Sequence, residues 1–352
     1  MAKKDIVVIG ASAGGMDALQ QLVAGLPRGF GGSIFIVWHL APGTRSVLPD
    51  VLSRNGPLPA AHPEDGDAIE PGRIYVAPPD RHMLLERSFI RIARGPKENR
   101  FRPAVDPLFR SAAYLFGPRA VGIVLSGALD DGTSGLWAVK LRGGTAIVQD
   151  PADAMHRSMP LHAMENVQVD FKLPARDMGA LLVRLAAEDA QPAPALAERE
   201  RGMLEHEVKI AEGAEALEQD VLPYGELSRF TCPECHGVLT LLREGRLVRF
   251  RCHTGHAYSA GTLLDSVTEQ VEDQLWAAVR ALDETTMLLN EMGEALAKEG
   301  DVSGAEQCFD KAREAHERAL PIREAAIENR IVGGETGTLA DEDLRAQAGG
   351  SR

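Results

Sequence analysis

Between Asp5 and about Asp170, five short runs rich in β-branched residues, "IVVIG", "SIFIVWH", "RIYVAP", "AVGIVLSG" and "GTAIVQD", alternate with stretches of helical pattern. A parallel strand pair needs a crossover connection, and a helix is the usual one, so this rhythm predicts an α/β fold on a doubly wound, largely parallel sheet. "APPDRHMLLERSFIRIARG" interrupts the rhythm and reads as a hairpin inserted between two of the units. Asp177 to Ala187 read as a closing helix and the Ala/Pro-rich "AAEDAQPAPALAE" as a linker, which sets the first domain at residues 1–190.

The 352-residue chain is long enough for further units. A linker and a short charged helix, from about Glu198 to Gln219, are expected within 191–228, followed by a small β module of distinct composition at 229–259. Over 260–330 the pattern turns helical. Val271, Leu275, Ala278, Leu282, Leu289, Met292 and Leu296 recur at three- and four-residue steps. Past Gly300-Asp301, Ala305, Cys308, Ala312, Ala315, Ala319, Ile322 and Ala326 repeat the spacing with smaller side chains, which predicts an antiparallel helical hairpin. Its small-residue seam allows close approach of another helix, within the hairpin or from a second copy or signalling partner. Residues 331–352 are Gly-, Asp- and Ala-rich and are expected to be disordered.

Charge is distributed unevenly. Residues 1–190 hold 21 Lys and Arg against 20 Asp and Glu, whereas the remainder holds 17 against 31. An acidic half argues against general nucleic-acid binding, which requires a basic face. No apolar run reaches bilayer-spanning length and none has the form of a secretion signal, so the expectation is a cytoplasmic protein that is not inserted in a membrane.

"VVIGASAGGMDAL", from Val7 to Leu19, joins the first strand to the first helix. A dinucleotide-binding turn would carry Gly where Ser12 stands and a carboxylate at the end of the second strand, where Trp38 and His39 stand instead. The stretch fits better as a Gly-x-Ser-x-Gly turn, Gly10 to Gly14, that displays the Ser12 hydroxyl. Such a hydroxyl is a weak nucleophile until a base takes its proton. His39 ends the second strand, at the carboxyl edge where Ser12 follows the first. "AVGIVLSGALDDGTSGL" brings a further strand and a turn with Asp130 and Asp131 to the same edge. Three strand ends thus offer a serine, a histidine and an aspartate in that order, unlike an α/β-hydrolase, in which the acid precedes the histidine.

Three of the four cysteines lie between Cys232 and Cys252, a metal spacing more than a disulfide framework. Cys232-x₂-Cys235-x₁₆-Cys252-x₃-His256 reads as one closed structural zinc site, two knuckles joined by a hairpin that reverses at Glu244-Gly245. His236 and His253 are the other imidazoles in reach of the fourth position; His256 is preferred because its spacing permits a second knuckle. A closed tetrahedron leaves no open position, so the module is expected to be structural, with hydrolysis independent of it.

Several motifs over about residues 5–185 resemble the chemotaxis protein-glutamate methylesterases of the CheB type: "IGASAGG", "WHLAPG", "IYVAPPDRHM", "RPAVDPLFRSAA", "VLSGALDDGTSGL" and "SMPLHAM". The resemblance implies a Rossmann-like methylesterase domain with Ser12 as nucleophile, His39 as general base and Asp131, directly before Gly132, as the orienting acid. It further implies hydrolysis of glutamyl γ-methyl esters on the cytoplasmic helices of methyl-accepting chemotaxis receptors, deamidation of glutamines there, and no cofactor for catalysis. Modules with "CPEC" and "FRCxxGHAYS" follow the domain in some relatives. The resemblance begins at the first strand, so the expectation is a catalytic domain without the receiver domain usual in the family; Ala13 and Ala128 replace a threonine and a methionine common there. Arg102 is a candidate substrate-facing cation. The alternative function is a non-catalytic signalling scaffold that binds receptor or kinase partners through the helical extension.

Overall fold

The computed structural model describes residues 2–40, 43, 46–213 and 222–334. It divides into two compact units, Met1–Leu263 and Leu264–Arg352. In chain order the first unit opens with β1 (Ile6–Ala11), α1 (Gly15–Ala24), β2 (Ser33–Trp38), α2 (Leu48–Asn55), β3 (Ala60–Ala61) and β4 (Ile74–Val76). The inserted hairpin follows as β5 (His82–Leu85) and β6 (Ile90–Ala93), and then α3 (Val105–Phe116), β7 (Ala120–Val124), α4 (Thr133–Leu141), β8 (Thr145–Gln149), α5 (Ser158–Asn166), β9 (Phe171–Leu173) and α6 (Ala175–Ala187).

Seven strands form one parallel sheet in the order β3-β4-β2-β1-β7-β8-β9. All five runs singled out in the sequence belong to it. The edge strands β3 and β9 were not legible, because two or three residues carry no periodicity. Successive side chains of a strand point to opposite faces, and both faces are covered. Ile6 and Val8 belong with Phe35, Val37, Val124 and Val148 to the cluster that packs under α3, α4 and α5. Val7 and Ile9 join Ile34, Ile36, Val121 and Ile147 in the opposite cluster, with residues of α1, α2 and α6. From β1 the chain builds outward through β2 in one direction and β7 in the other, which opens a crevice at the carboxyl ends of these three strands.

After the linker come α7 (Glu198–Glu212) and a four-stranded antiparallel sheet of β10 (Glu226–Thr231), β11 (Val238–Glu244), β12 (Leu247–Cys252) and β13 (Ala257–Ser259). The charged helix thus stops at Gly213, in the left-handed conformation; the rest of the expected span, 214–219, lies outside the described residues. The boundary expected at residue 190 does not coincide with the division into units, and the module expected to stand apart at 229–259 belongs to the first unit. The physical reason is a buried ionic cluster. Arg249 and Arg251 of β12 meet Glu207 of α7 and, from the segment before α3, Glu98; Arg110 of α3 pairs with Glu98. Glu244 closes the cluster with bonds from Arg249 at 2.6 Å and from Ser134 at 2.6 Å. Three arginines face three glutamates with all six side chains at most 3 % exposed, and burial of this kind is tolerable only when every charge is matched.

The second unit contains most of α8 (Ala260–Glu299) and all of α9 (Val302–Gly334), antiparallel helices that turn at Gly300, φ 90°. Ala305, Ala312, Ala315, Ala319 and Ala326 are buried, and Thr286 on α8 reaches the Ala312 carbonyl, so the small-residue seam is closed within the hairpin. α9 continues past residue 330, where the tail was expected to begin, because "AAIENRIV" holds no Gly or Pro to stop it before the Gly333-Gly334 pair. Residues 335–352 of the expected tail lie outside the described residues. No described helix is long and apolar enough to cross a membrane.

Candidate active site

Ser12 stands one residue past β1, His39 one residue past β2, and Asp131 in the loop after β7. The register of the sheet aligns these ends: Ala11 pairs with Trp38, and Gly10 with Val124. Hydrogen bonds extend the alignment past the strands, from His39 N to Ala11 O at 3.2 Å and from Ser12 N to Ser126 O at 3.0 Å. The Trp38 indole donates to the Ser12 carbonyl at 2.9 Å and pins the turn. Glycine is required here for space. A Cβ on Gly127 would lie 2.8 Å from the Ser12 Cβ, and Gly14 combines φ 69° with a Cβ position 2.6 Å from Met155.

His39 Nδ1 lies 3.1 Å from Ser12 Oγ and its Nε2 lies 2.8 Å from Asp131 Oδ2. A carboxylate only accepts, so Nε2 carries the proton, and Nδ1 is left to accept from the Ser12 hydroxyl. The imidazole is stacked on Phe101 at 3.8 Å between centroids and 8° between planes, which fixes its tilt. Asp131, 1 % exposed, accepts from five groups. Besides His39 these are Val105 N at 2.7 Å, Asn99 Nδ2 at 3.0 Å, Gly132 N at 3.0 Å and Asp106 N at 3.3 Å. Val105 and Asp106 open α3, so the carboxylate sits on free N–H groups at a helix N-terminus. Burial opposes its ionisation, but the bonds from His39, Val105 and Asn99 win and hold its pKa below the ordinary value. Asp106, buried alongside, is pushed the other way by burial and by the charge on Asp131, to about 8.

Strand and turn patterns do not tell Asp130 from Asp131, and the resemblance selects Asp131; in the structure Asp130 Oδ1 accepts from Ser259 Oγ at 2.8 Å, and Asp131 meets His39. Ser12 and His39 open into a cleft of about 480 Å³ with Lys97, Arg100, Phe101 and Arg102 on its wall. Arg102 is there, and each of its three guanidinium nitrogens bonds the protein. Nε and Nη2 bond Asp80 Oδ1 at 2.8 and 2.6 Å, and Nη1 bonds the Gly95 carbonyl at 2.8 Å. Phe101 and Asn99 were not anticipated; a stacking ring and an amide in the left-handed conformation leave no spacing signal.

The second cluster lies in the ribbon formed by the antiparallel strands β10–β13 and their connections. The ligand atoms of Cys232, Cys235, Cys252 and His256 all lie within 4.8 Å of one another. Cys235 and Cys252 Sγ are 3.6 Å apart, and His256 Nδ1 is 3.7 and 3.6 Å from the sulfurs of Cys232 and Cys252. A tetrahedron with metal–sulfur bonds of about 2.3 Å has edges of about 3.8 Å, so this donor set fits zinc in composition and in size. His253 packs on Gly237 instead, and His236, at φ 60°, is not among the clustered residues.

A doubly wound parallel sheet whose carboxyl edge carries a hydrogen-bonded Ser–His–Asp array is an α/β domain with the arrangement of a serine hydrolase. The family model of the CheB methylesterase matches residues 7–182, and the chain belongs to that family. It is similar to protein-glutamate methylesterase/protein-glutamine glutaminase 4 of Anaeromyxobacter dehalogenans, 39% identical over 52% of this chain and 52% of the relative. The Thermotoga maritima protein-glutamate methylesterase/protein-glutamine glutaminase is 34% identical over 51% of this chain and 54% of its own length. The chain therefore spans about half the length of these relatives, although it covers 94% of a Leptospira interrogans relative at 35% identity. Among solved structures, the crystal structure of the Thermotoga maritima CheB methylesterase catalytic domain matches with a TM-score of 0.51 and 34% identity, over 53% of this chain and 99% of that one.

Proposed function

We propose that the chain is a serine-type protein-glutamate methylesterase that also deamidates glutamine, acting on the cytoplasmic helices of methyl-accepting receptors. The observation that carries this reading is the continuous chain from Ser12 Oγ through His39 to Asp131 at 3.1 and 2.8 Å. His39 Nδ1 takes the hydroxyl proton as Ser12 Oγ attacks the ester carbonyl carbon, and Asp131 stabilises the imidazolium that forms. The Ala13 and Gly14 N–H groups, which have no acceptor among the described residues, are suited to hold the oxyanion at the start of α1. Collapse of the tetrahedral species breaks the bond to the methoxy oxygen, which leaves as methanol with the proton from His39. Water, deprotonated by the same nitrogen, then attacks the acyl-serine and releases glutamate. For a glutamine side chain the same path releases ammonia. A receptor fragment carrying glutamyl γ-methyl esters is expected to yield methanol in proportion to the enzyme added; none above the no-enzyme control would reject this substrate. The scaffold alternative has no observation among the described residues in its favour.

Cys232, Cys235, Cys252 and His256 are proposed to hold one structural zinc ion, with Glu234 Oε2, 3.4 Å from His256 Nε2, fixing the imidazole from outside. Protein purified without chelator is expected to contain about one zinc per chain by elemental analysis. Cys235→Ser is expected to lose it and to speed amide exchange over residues 230–258; a metal-free parent with slow exchange there would reject the site.

A further inference from the structure

Asn99 lies between the triad and the ribbon, 3% exposed and at φ 49°, a left-handed conformation that asparagine tolerates better than most residues. Every hydrogen-bonding position of its carboxamide is used. Nδ2 donates to Asp131 Oδ1 and to Asp106 Oδ2, each at 3.0 Å. Oδ1 accepts from Ser259 N at 3.0 Å and shares the single hydroxyl hydrogen of Thr262, whose Oγ1 lies at 3.2 Å, with Ser259 Oγ at 2.9 Å. A backbone N–H can only donate, so Ser259 dictates which end of the amide is oxygen, and the NH₂ must face the two acids.

The same segment is anchored by its backbone: Asn99 N donates to Ala257 O at 2.8 Å, and Ala257 N to Lys97 O at 3.3 Å. Ser259 also caps α8, its Oγ accepting from Thr262 N at 3.0 Å while donating to Asp130 Oδ1 at 2.8 Å. Both aspartates of the loop after β7 are thus held from the strand that begins one residue past His256.

We propose that β13 and the first turn of α8 position the triad: Ser259 and Thr262 orient the Asn99 carboxamide, and Asn99 is a positioning residue for Asp131. The proposal rests on the serine-hydrolase reading above, and it differs from the expectation that hydrolysis is independent of the ribbon. The physical basis is the sign of the amide dipole. With the Ser259 and Thr262 donors in place the NH₂ faces Asp131; without them the amide is free to turn its oxygen toward two acidic groups, which repels the carboxylate that holds His39. Asn99 is the one side chain besides His39 that donates to Asp131 among the described residues.

The test uses the full chain, the receptor-fragment methyl ester and saturation kinetics. Asn99→Gly keeps the backbone conformation and deletes the amide. It is expected to lower kcat about a hundredfold, the size of effect that follows from a misplaced catalytic group, with KM within about twofold. Thr262→Val exchanges a hydroxyl for a methyl in the same volume and is expected to lower kcat about tenfold through one lost hydrogen bond, with Thr262→Ser restoring it. Parental kcat in Asn99→Gly and Thr262→Val, with only the melting temperature moved, would overturn the proposal, as would a serine variant no faster than the valine. Ser12→Ala is measured alongside. If it hydrolyses at the parental rate, the serine-hydrolase reading itself falls; if it is inert while the other variants match the parent, only the positioning role is rejected.

Discussion

Ser12→Ala is expected to abolish methanol release, with a fall in kcat of about 10⁶, the scale set by removal of a triad nucleophile in serine hydrolases. The substitution deletes one oxygen from a turn held by other groups: Ser12 N still bonds Ser126 O, and Trp38 still bonds the Ser12 carbonyl. The melting temperature should therefore stay within about 2 °C of the parent, since surface changes of this kind move stability by less than about 0.5 kcal/mol. Asp131→Asn provides the matching experiment at the far end of the array, with an expected loss of about 10⁴. Asp131 accepts from five donors, and a carboxamide must aim its NH₂ at some of them. Whichever way it turns, the His39 tautomer or the Asn99 contact is lost. Retention of more than a tenth of the parental rate by Ser12→Ala would remove the triad from the reaction.

The second large effect is on stability. Glu207→Gln is expected to lower the unfolding free energy of the first unit by about 3–5 kcal/mol, read from the urea midpoint followed by tryptophan fluorescence. Glu207 receives Arg251 Nε and Nη2 at 2.8 and 2.6 Å and Arg249 Nη1 at 3.1 Å. Burial opposes its ionisation, but the three neighbouring arginines hold its pKa well below the ordinary range. A neutral amide leaves two buried guanidiniums short of a counter-charge. Leaving such charges uncompensated costs more than the pair itself contributes, so Glu207→Gln combined with Arg251→Met should recover part of the loss. A single variant within about 1 kcal/mol of the parent would show that water reaches the cluster.

How much of this could be read from the chain follows from the range over which each signal acts. The five strand runs announce the sheet because a buried parallel strand must be apolar for several residues in succession, whereas β3 and β9 are too short to do so. Ser12 and His39 were legible for a similar reason: each directly follows a strand, and strand ends of a doubly wound sheet meet at one edge. Cys232 with Cys235 and Cys252 with His256 announce themselves by spacing, since two side chains that share one tight turn can reach one ion.

The sequence by itself therefore determined the doubly wound sheet, the serine turn and histidine at its carboxyl edge, the grouping of Cys232, Cys235, Cys252 and His256, and the helical hairpin with its alanine seam. Each is written along the chain by periodicity or by spacing. Only the tertiary structure decided that Asp130 turns to Ser259, that Arg102 is held by Asp80 and the Gly95 carbonyl, and that the ribbon joins the first unit. It alone brought Glu98 to Arg251, 153 residues away, and Asn99 to Thr262, 163 residues away. Such contacts leave no local pattern, because a lone Glu, Arg or Asn reads as a solvated side chain until the fold removes the water around it.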